Sequence, residues 1–287
     1  MATFFGLSFL ITKAGLLEMP PMVLISWRFG LAAIILTLLR GMRVIHINYR
    51  GKPLKGIFLL SILYPGIAFF FETVGLQYVS SSQAGILVSM MPVFVTLFGA
   101  LILKEQPSYA QIFYIILSVA GVLITVIFVK NSGDNGTFLG IILILVSVLG
   151  GAMNNVLSRK YSKYFTAMEI TYMMICLGAV EFSGLSLIQG IFNREILKTY
   201  AIPFTSPEIM FVILELSIGT SVVAFFCMNY MLSRLKAANA SVFFNLSTVI
   251  SIAAGIVVVG ETLRWYQIAG GLLIIISVWG MNYRKNR

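Results

Sequence analysis

Stretches of about twenty apolar residues follow one another along this chain, most separated by only a short polar turn. That alternation constrains the fold more than any motif, because about 20 residues of α-helix cross the hydrocarbon core of a bilayer. Between Pro21 and Leu39 the only charged side chain is Arg28, and between Ser80 and Leu103 there is none. Inside a bilayer no water is present to satisfy N–H and C=O groups, so each run must close its own hydrogen bonds as a helix. Of the 287 residues, 59% are hydrophobic and 10% charged; a soluble domain carries about 25% charged residues. The reading is an all-α polytopic membrane protein.

The runs predict ten spans, near 2–17, 21–39, 55–77, 80–103, 107–129, 137–158, 166–190, 208–232, 236–259 and 263–282. Most connections are short, so neighbours in sequence form antiparallel hairpins. Span 1 is short for a crossing and reads as truncated, the second half of a helix. No basic segment precedes it and no cleavage-like site follows, so it is not read as a signal peptide.

The net charge of +10 is distributed between the two sides very unevenly. One set of helix ends carries Arg40, Arg43, Arg50, Lys52, Lys55, Lys104, Arg159, Lys160, Lys163, Arg234, Lys236, Arg284, Lys285 and Arg287. The other set carries only Lys130, Arg194, Lys198 and Arg264. Basic residues mark the cytoplasmic side, which puts both termini in the cytoplasm of a plasma (inner) membrane protein. The charge is thereby explained without nucleic acid. Cys176 and Cys227 lie inside spans and His46 in a basic loop, so neither a metal site nor a cofactor site is expected.

A repeat divides the chain. At an offset of 156, residues 60–122 match 216–278 at 15 of 63 positions, among them Leu60-Ser61-Ile62, Ala68-Phe69-Phe70, Gly99 and Glu105. Residues 1–130 and 131–287 then form two five-helix repeats. Five is odd, so the second enters the membrane inverted, the arrangement of secondary transporters with a midplane site. The polar line Ser82, Gly85, Ser89, Pro92, Thr96 recurs as Ala238, Ser241, Asn245, Thr248, Ile252. Steps of three and four residues keep such a line on one helical face.

Several stretches resemble the EamA-type ten-helix transporters of the drug/metabolite transporter superfamily. They are Gly6-Leu7-Ser8-Phe9 with Lys13, Pro20-Pro21 with Arg28-Phe29, Gly75-Leu76-Gln77-Tyr78-Val79-Ser80-Ser81 leading to Pro92, Leu103-Lys104-Glu105, Gly260-Glu261-Thr262-Leu263 and Gln267-Ile268-Ala269-Gly270. The resemblance covers the whole chain except about half a helix that family members have before the Gly-Leu-Ser-Phe position. It implies a 5+5 inverted repeat around a cavity lined mainly by helices 3, 4, 8 and 9, helped by 1 and 6. It also implies small metabolites, often amino acids, as cargo.

Ser82, Ser89, Thr96, Ser241, Asn245 and Thr248 are the substrate-lining candidates, with Asn154 on helix 6 and Ser8 on helix 1; close helix packing is the competing reading. Pro92 is a candidate gating residue, since it frees a carbonyl one turn back. Glu72, Arg28 and Lys13 all fall near the outer side, so a Glu72–Arg28 or Glu72–Lys13 pair is expected, serving structure or coupling. Glu181 and Glu215 could face each other. Glu105 and Glu261 are read as capping the starts of helices 5 and 10.

The expected function is secondary transport by alternating access, exporting a small polar or zwitterionic metabolite, an amino acid or related compound. Protons and uniport are both open as the driving mode. The alternatives are a multidrug exporter or metabolite importer of the same fold, a non-transporting subunit, or a membrane enzyme. For the enzyme, no His/Asp cluster is present in the sequence and no catalytic residue is proposed.

Overall fold

The computed structural model describes residues 1–104, 108–131, 135–235, 237, 240 and 243–283. The described residues are helical almost throughout. In chain order we label α1 Ala2–Leu16, α2 Pro21–Gly41, α3 Leu54–Gly75, α4 Ser81–Leu103, α5 Tyr109–Asn131, α6 Asn135–Tyr161, α7 Ala167–Phe192, α8 Pro207–Arg234, α9 Phe243–Val259 and α10 Trp265–Tyr283. Each limit falls within a few residues of the predicted span, except that α9 starts later because residues 238, 239, 241 and 242 lie outside the described set. The predicted connection 191–207 holds short helical turns, Arg194–Lys198, Thr199–Ala201 and Ile202–Thr205. Asn193 caps the first of them by accepting the Glu195 amide at 3.1 Å.

Six of the helices, α2, α3, α4, α6, α7 and α8, are long and apolar enough to cross a membrane. The chain is therefore a multi-pass membrane protein. Shorter apolar helices or helical stretches, Ala2–Leu16, Ile112–Phe128, Leu246–Val259 and Trp265–Ser277, accompany them. Large apolar side chains such as Leu101, Ile191 and Phe192 stand exposed, as a lipid-facing surface requires. Trp265 and Trp279 are exposed too.

The helices interlock across the chain. α5 packs on α10, α2 on α7, α1 on α9, and α6 on both α3 and the Met91–Leu103 half of α4; the Ser81–Val88 half of α4 packs on α9. At the centre Phe225 of α8 meets Phe5, Phe29, Tyr64 and Phe69 with ring centroids 5.5–6.1 Å apart. Ring pairs at this spacing add about 0.5–1.5 kcal/mol each to their burial. At the start of α7 Glu169 closes a capping box with Thr166. It also accepts the Asn48 amide at 3.1 Å and pairs with Lys52 at 2.6 Å. The α2–α3 loop is thereby fastened to α7.

Three spanning helices are interrupted. α3 leaves helical geometry at Tyr64 (φ −147°, ψ 114°), ahead of Pro65, and forms a π-helical turn over Ile62–Ile67. α8 is π-helical over Glu215–Ala224. The repeat offset carries 62–67 onto 218–223, inside that second segment. α4 breaks between Val88 and Met91 through tight turns from Ser89 to Ile86 and Met90 to Leu87. Pro92 explains the break: it has no N–H to offer the carbonyl four residues back.

Candidate functional site

The interruptions in α3 and α4 border a small cavity of about 30 Å³ between α1, α3, α4, α6 and α9. A space that size holds about one or two waters. Tyr64 and Glu72 reach it from α3, Val88 and Met91 from either side of the α4 break, Ser147 and Gly151 from α6, and Phe244 and Ser247 from α9. Non-helical turns at this depth recur in membrane proteins where backbone lines a cavity or is buried in protein.

Two charged residues dominate the surroundings. Among the described residues Glu72 has one hydrogen bond, a long one of 3.4 Å from the Ser147 hydroxyl. Arg28 of α2 is only 2% exposed. Its Nε donates to the Ser221 hydroxyl at 2.9 Å, in the π-helical stretch of α8. Its guanidinium carbon lies 4.5 Å from the Phe69 ring centroid and 5.4 Å from that of Phe29. Its Nη2 has no hydrogen-bond partner. Burying a charge without a paired opposite charge is costly, by several kcal/mol per ion after relaxation.

The expected Glu72–Arg28 and Glu72–Lys13 ion pairs are not formed; the ion pairs among the described residues are Lys52–Glu169 and Lys198–Glu195. Arg28 is taken up by Ser221 and the aromatic rings, and Lys13 donates instead to the carbonyl of Val79, in the α3–α4 turn. Glu181 and Glu215 keep separate surroundings. Glu215 accepts from Thr220 at 3.2 Å, while Glu181 lies against Gly66.

The helix 4 and helix 9 stripes meet, and they meet as packing. Thr248 donates to the Gly85 carbonyl at 3.0 Å, and Ser251 to the Ser81 carbonyl at 2.9 Å. A Cβ on Gly85 would lie 2.8 Å from that of Ser251, so glycine is what permits the approach. Ser82 is fully buried at the same seam, its hydroxyl unpartnered. Ser89 bonds back to Ile86, Thr96 to Pro92 and Ser8 to Phe5 within their own helices. Asn154 is buried with Oδ1 unpartnered and Nδ2 4.0 Å from the Met228 sulfur. Of these eight candidates, Ser241 and the side chain of Asn245 lie outside the described residues, as does Glu105, and the other six do not line the cavity.

Glu261 does not cap α10. Gln267 does, accepting the Arg264 amide at 2.8 Å. Glu261 instead crosses to α4, where it accepts the amides of Ser81 and Ser82 at 2.9 Å each and the Ser81 hydroxyl at 2.8 Å. Burial alone would raise its pKa, but the hydrogen bonds from Ser82 and Ser81 outweigh it and hold the carboxyl below the usual value. Ser147 shares the polar face of helix 6 with Asn154, and Ser221 is the site residue that helical phase did not single out. Its signal is a hydroxyl on a buried face, shared with many packing serines.

Comparison with known proteins agrees with this architecture. Residues 1–127 and 138–283 match the EamA-like transporter family. An uncharacterized transporter of Bacillus subtilis strain 168, YcxC, is 36% identical over 277 residues, covering 96% of this chain and 88% of its own. A "probable amino-acid metabolite efflux pump" of Escherichia coli K12 is 22% identical over 98% of this chain and 93% of its own. A solved crystal structure with 16% identity superposes over 100% of the chain and 98% of its own with a TM-score of 0.65, a likeness of fold.

Proposed function

We propose, from the premise that this chain belongs to the EamA-like transporter family, that it is a membrane transporter which exports a zwitterionic small metabolite, an amino acid or a close relative, by alternating access. The observation that carries the reading is the pair Arg28 and Glu72. Opposite charges stand by the central cavity, neither in an ion pair among the described residues. The free Nη2 of Arg28 suits a carboxylate, which guanidinium binds with matching planar geometry. Glu72 suits an ammonium. The printed name of the Escherichia coli relative supports the same cargo.

On this reading the chain is two inverted five-helix repeats, 1–130 and 131–287, with ten spans and both termini cytoplasmic in the plasma membrane. Two observations favour the repeat: the π-helical turns coincide at the 156-residue offset, and the packing partners exchange when α1–α5 are swapped for α6–α10. The 30 Å³ cavity is smaller than an amino acid, so cargo needs the helices around it to part. The seam of Gly85 and Thr248 is then the surface that parts toward the outside. Its opening would bring Ser82, Ser89, Thr96, Ser241, Asn245 and Thr248 to the route, with Ser8 and Asn154 at its edges and Pro92 at the bend. Lys13 fixes the adjoining turn. Protons carried by Glu72 would couple export; without them the protein is a uniporter.

The test is counterflow in proteoliposomes with labelled amino acids, comparing the native chain with Arg28→Met and Glu72→Gln. Both variants should lose counterflow while remaining monodisperse. Undiminished exchange in both would remove the zwitterion site.

A further inference from the structure

Away from the central cavity, one membrane carboxyl is left without a partner. Glu181 lies near the middle of the 26-residue α7, roughly 21 Å along it at 1.5 Å per residue. It makes no hydrogen bond or ion pair among the described residues, and its Oε2 is buried. The carboxyl fits against Gly66, in the π-helical turn of α3; a Cβ there would come within 2.5 Å of Oε2. Beside it runs a groove of about 450 Å³ between α3 and α7, the size of sites for drug-sized molecules. Ile67, Leu185 and Ile188 on its walls are exposed, so the groove opens outward, toward the hydrocarbon. Glu181 is the only ionisable residue that lines it.

Its chemistry selects an occupant. A carboxyl at hydrocarbon depth is costly unless neutralised or paired, and no cation of this chain reaches it among the described residues. Phe70 and Phe71 stand at the same wall, edge to face with centroids 5.3 Å apart. Aromatic faces attract cations. Lipid tails satisfy the walls and leave the carboxyl unpaired. We infer that this groove is a lipid-facing binding site for lipophilic ammonium ions, with Glu181 as counter-ion and Phe70 and Phe71 flanking the charged nitrogen. The body of the ligand lies along the apolar walls, and entry is sideways from the bilayer. The site shares no lining residue with the central cavity and does not rest on the zwitterion reading.

The test uses the full chain in phosphatidylcholine nanodiscs and radiolabelled dodecyltrimethylammonium. Saturable binding above empty nanodiscs is expected, with dodecanol and dodecyl sulfate failing to compete. Glu181→Gln should weaken binding about tenfold or more, as loss of a buried charge partner does. Gly184→Phe should do the same by filling the groove; nothing lies within 4 Å of a Cβ there, so the fold has room for it. Glu195→Gln, on the exposed pair with Lys198 and away from the groove, should bind as the native chain does. Native-like binding by Glu181→Gln, or equal competition by dodecanol, overturns the site. If Glu181→Gln does not fold, Gly184→Phe decides, and retained binding there overturns it as well.

Discussion

Glu261, in the turn between α9 and α10, accepts the backbone amide of Ser81 at 2.9 Å and so closes the start of a helix 180 residues away. The carboxylate meets three donors there. A helix start leaves its first amides unsatisfied and carries partial positive charge. Here the acceptor comes from the other end of the chain, so the cap also ties α9 and α10 to α4.

Loss of that cap should be measurable as stability. Glu261→Ala removes a charged acceptor and leaves two amides to water, a loss of about 2–3 kcal/mol for charge-assisted bonds. Thermal unfolding in detergent should show a clear drop in Tm, larger than for Glu195→Ala on the exposed pair with Lys198. Equal Tm values for the two variants would mean the cap contributes nothing.

The same contact gives a pH dependence. Its hydrogen bonds hold the Glu261 carboxyl below its ordinary value of 4.5. A carboxyl with a lowered folded-state pKa contributes stability that is present above the unfolded value and is lost as pH falls through the folded one. Native protein should therefore lose Tm faster than Glu261→Gln as pH is lowered through and below 4.5. Parallel curves would assign the acid sensitivity to other groups.

Cross-linking tests the seam of α4 and α9. In a background with Cys176 and Cys227 replaced by serine, Gly85→Cys with Ser251→Cys should oxidise readily. The Cβ positions need only move apart from 2.8 Å to the ~3.8 Å of a disulfide. Oxidation should stop transport and reduction restore it. Transport that continues with the bridge formed would show that the seam does not part.

Ser221 should act through Arg28. Ser221→Ala removes the one side-chain hydrogen bond found for the guanidinium, and such a bond to a charged group is worth about 1.5–3 kcal/mol. In counterflow the expected result is a KM raised roughly tenfold or more with the maximal rate little changed. A lost rate at unchanged KM would point to a structural role instead.

Glu169→Ala should loosen the α2–α3 loop from α7. It unpairs Lys52 and frees the amides of Asn48 and Thr166. Breaking a largely buried pair from one side costs about 3–5 kcal/mol. Proteolysis in the 42–53 loop, which ends near that anchor, should accelerate. An unchanged rate would show that the loop is held by other contacts.

The helices were readable because hydrocarbon leaves a chain little choice: Pro21–Gly41 and Ala167–Phe192 follow from apolar length alone. The facing of α4 toward α9 was readable in the three-and-four spacing of Ser82, Gly85 and Ser89. Whether that face is hollow or filled was not, since the small residues that leave room for a substrate also let backbones touch, as Gly85 and Ser251 do. Equal depth suggested that Arg28 meets Glu72, but depth says nothing of direction around the helix, and Ser221 and Phe69 claim the guanidinium. Glu169 was within reach, because Thr166 followed by a glutamate three residues on is a capping-box pattern. Glu261 reads as a local cap until the fold brings α4 beside it.

The π-helical turn in α3 makes that helix a joint as well as a rod. Its first segment, Leu54–Ser61, packs chiefly on α7, and its last, Ala68–Gly75, chiefly on α6. Between them the backbone at Tyr64 is already out of helical register, so a tilt of one segment need not be handed to the other. A straight helix would force α6 and α7 to move together wherever α3 went. With the break at Tyr64, a displacement of α6 against Ala68–Gly75 need not reach α7 through α3.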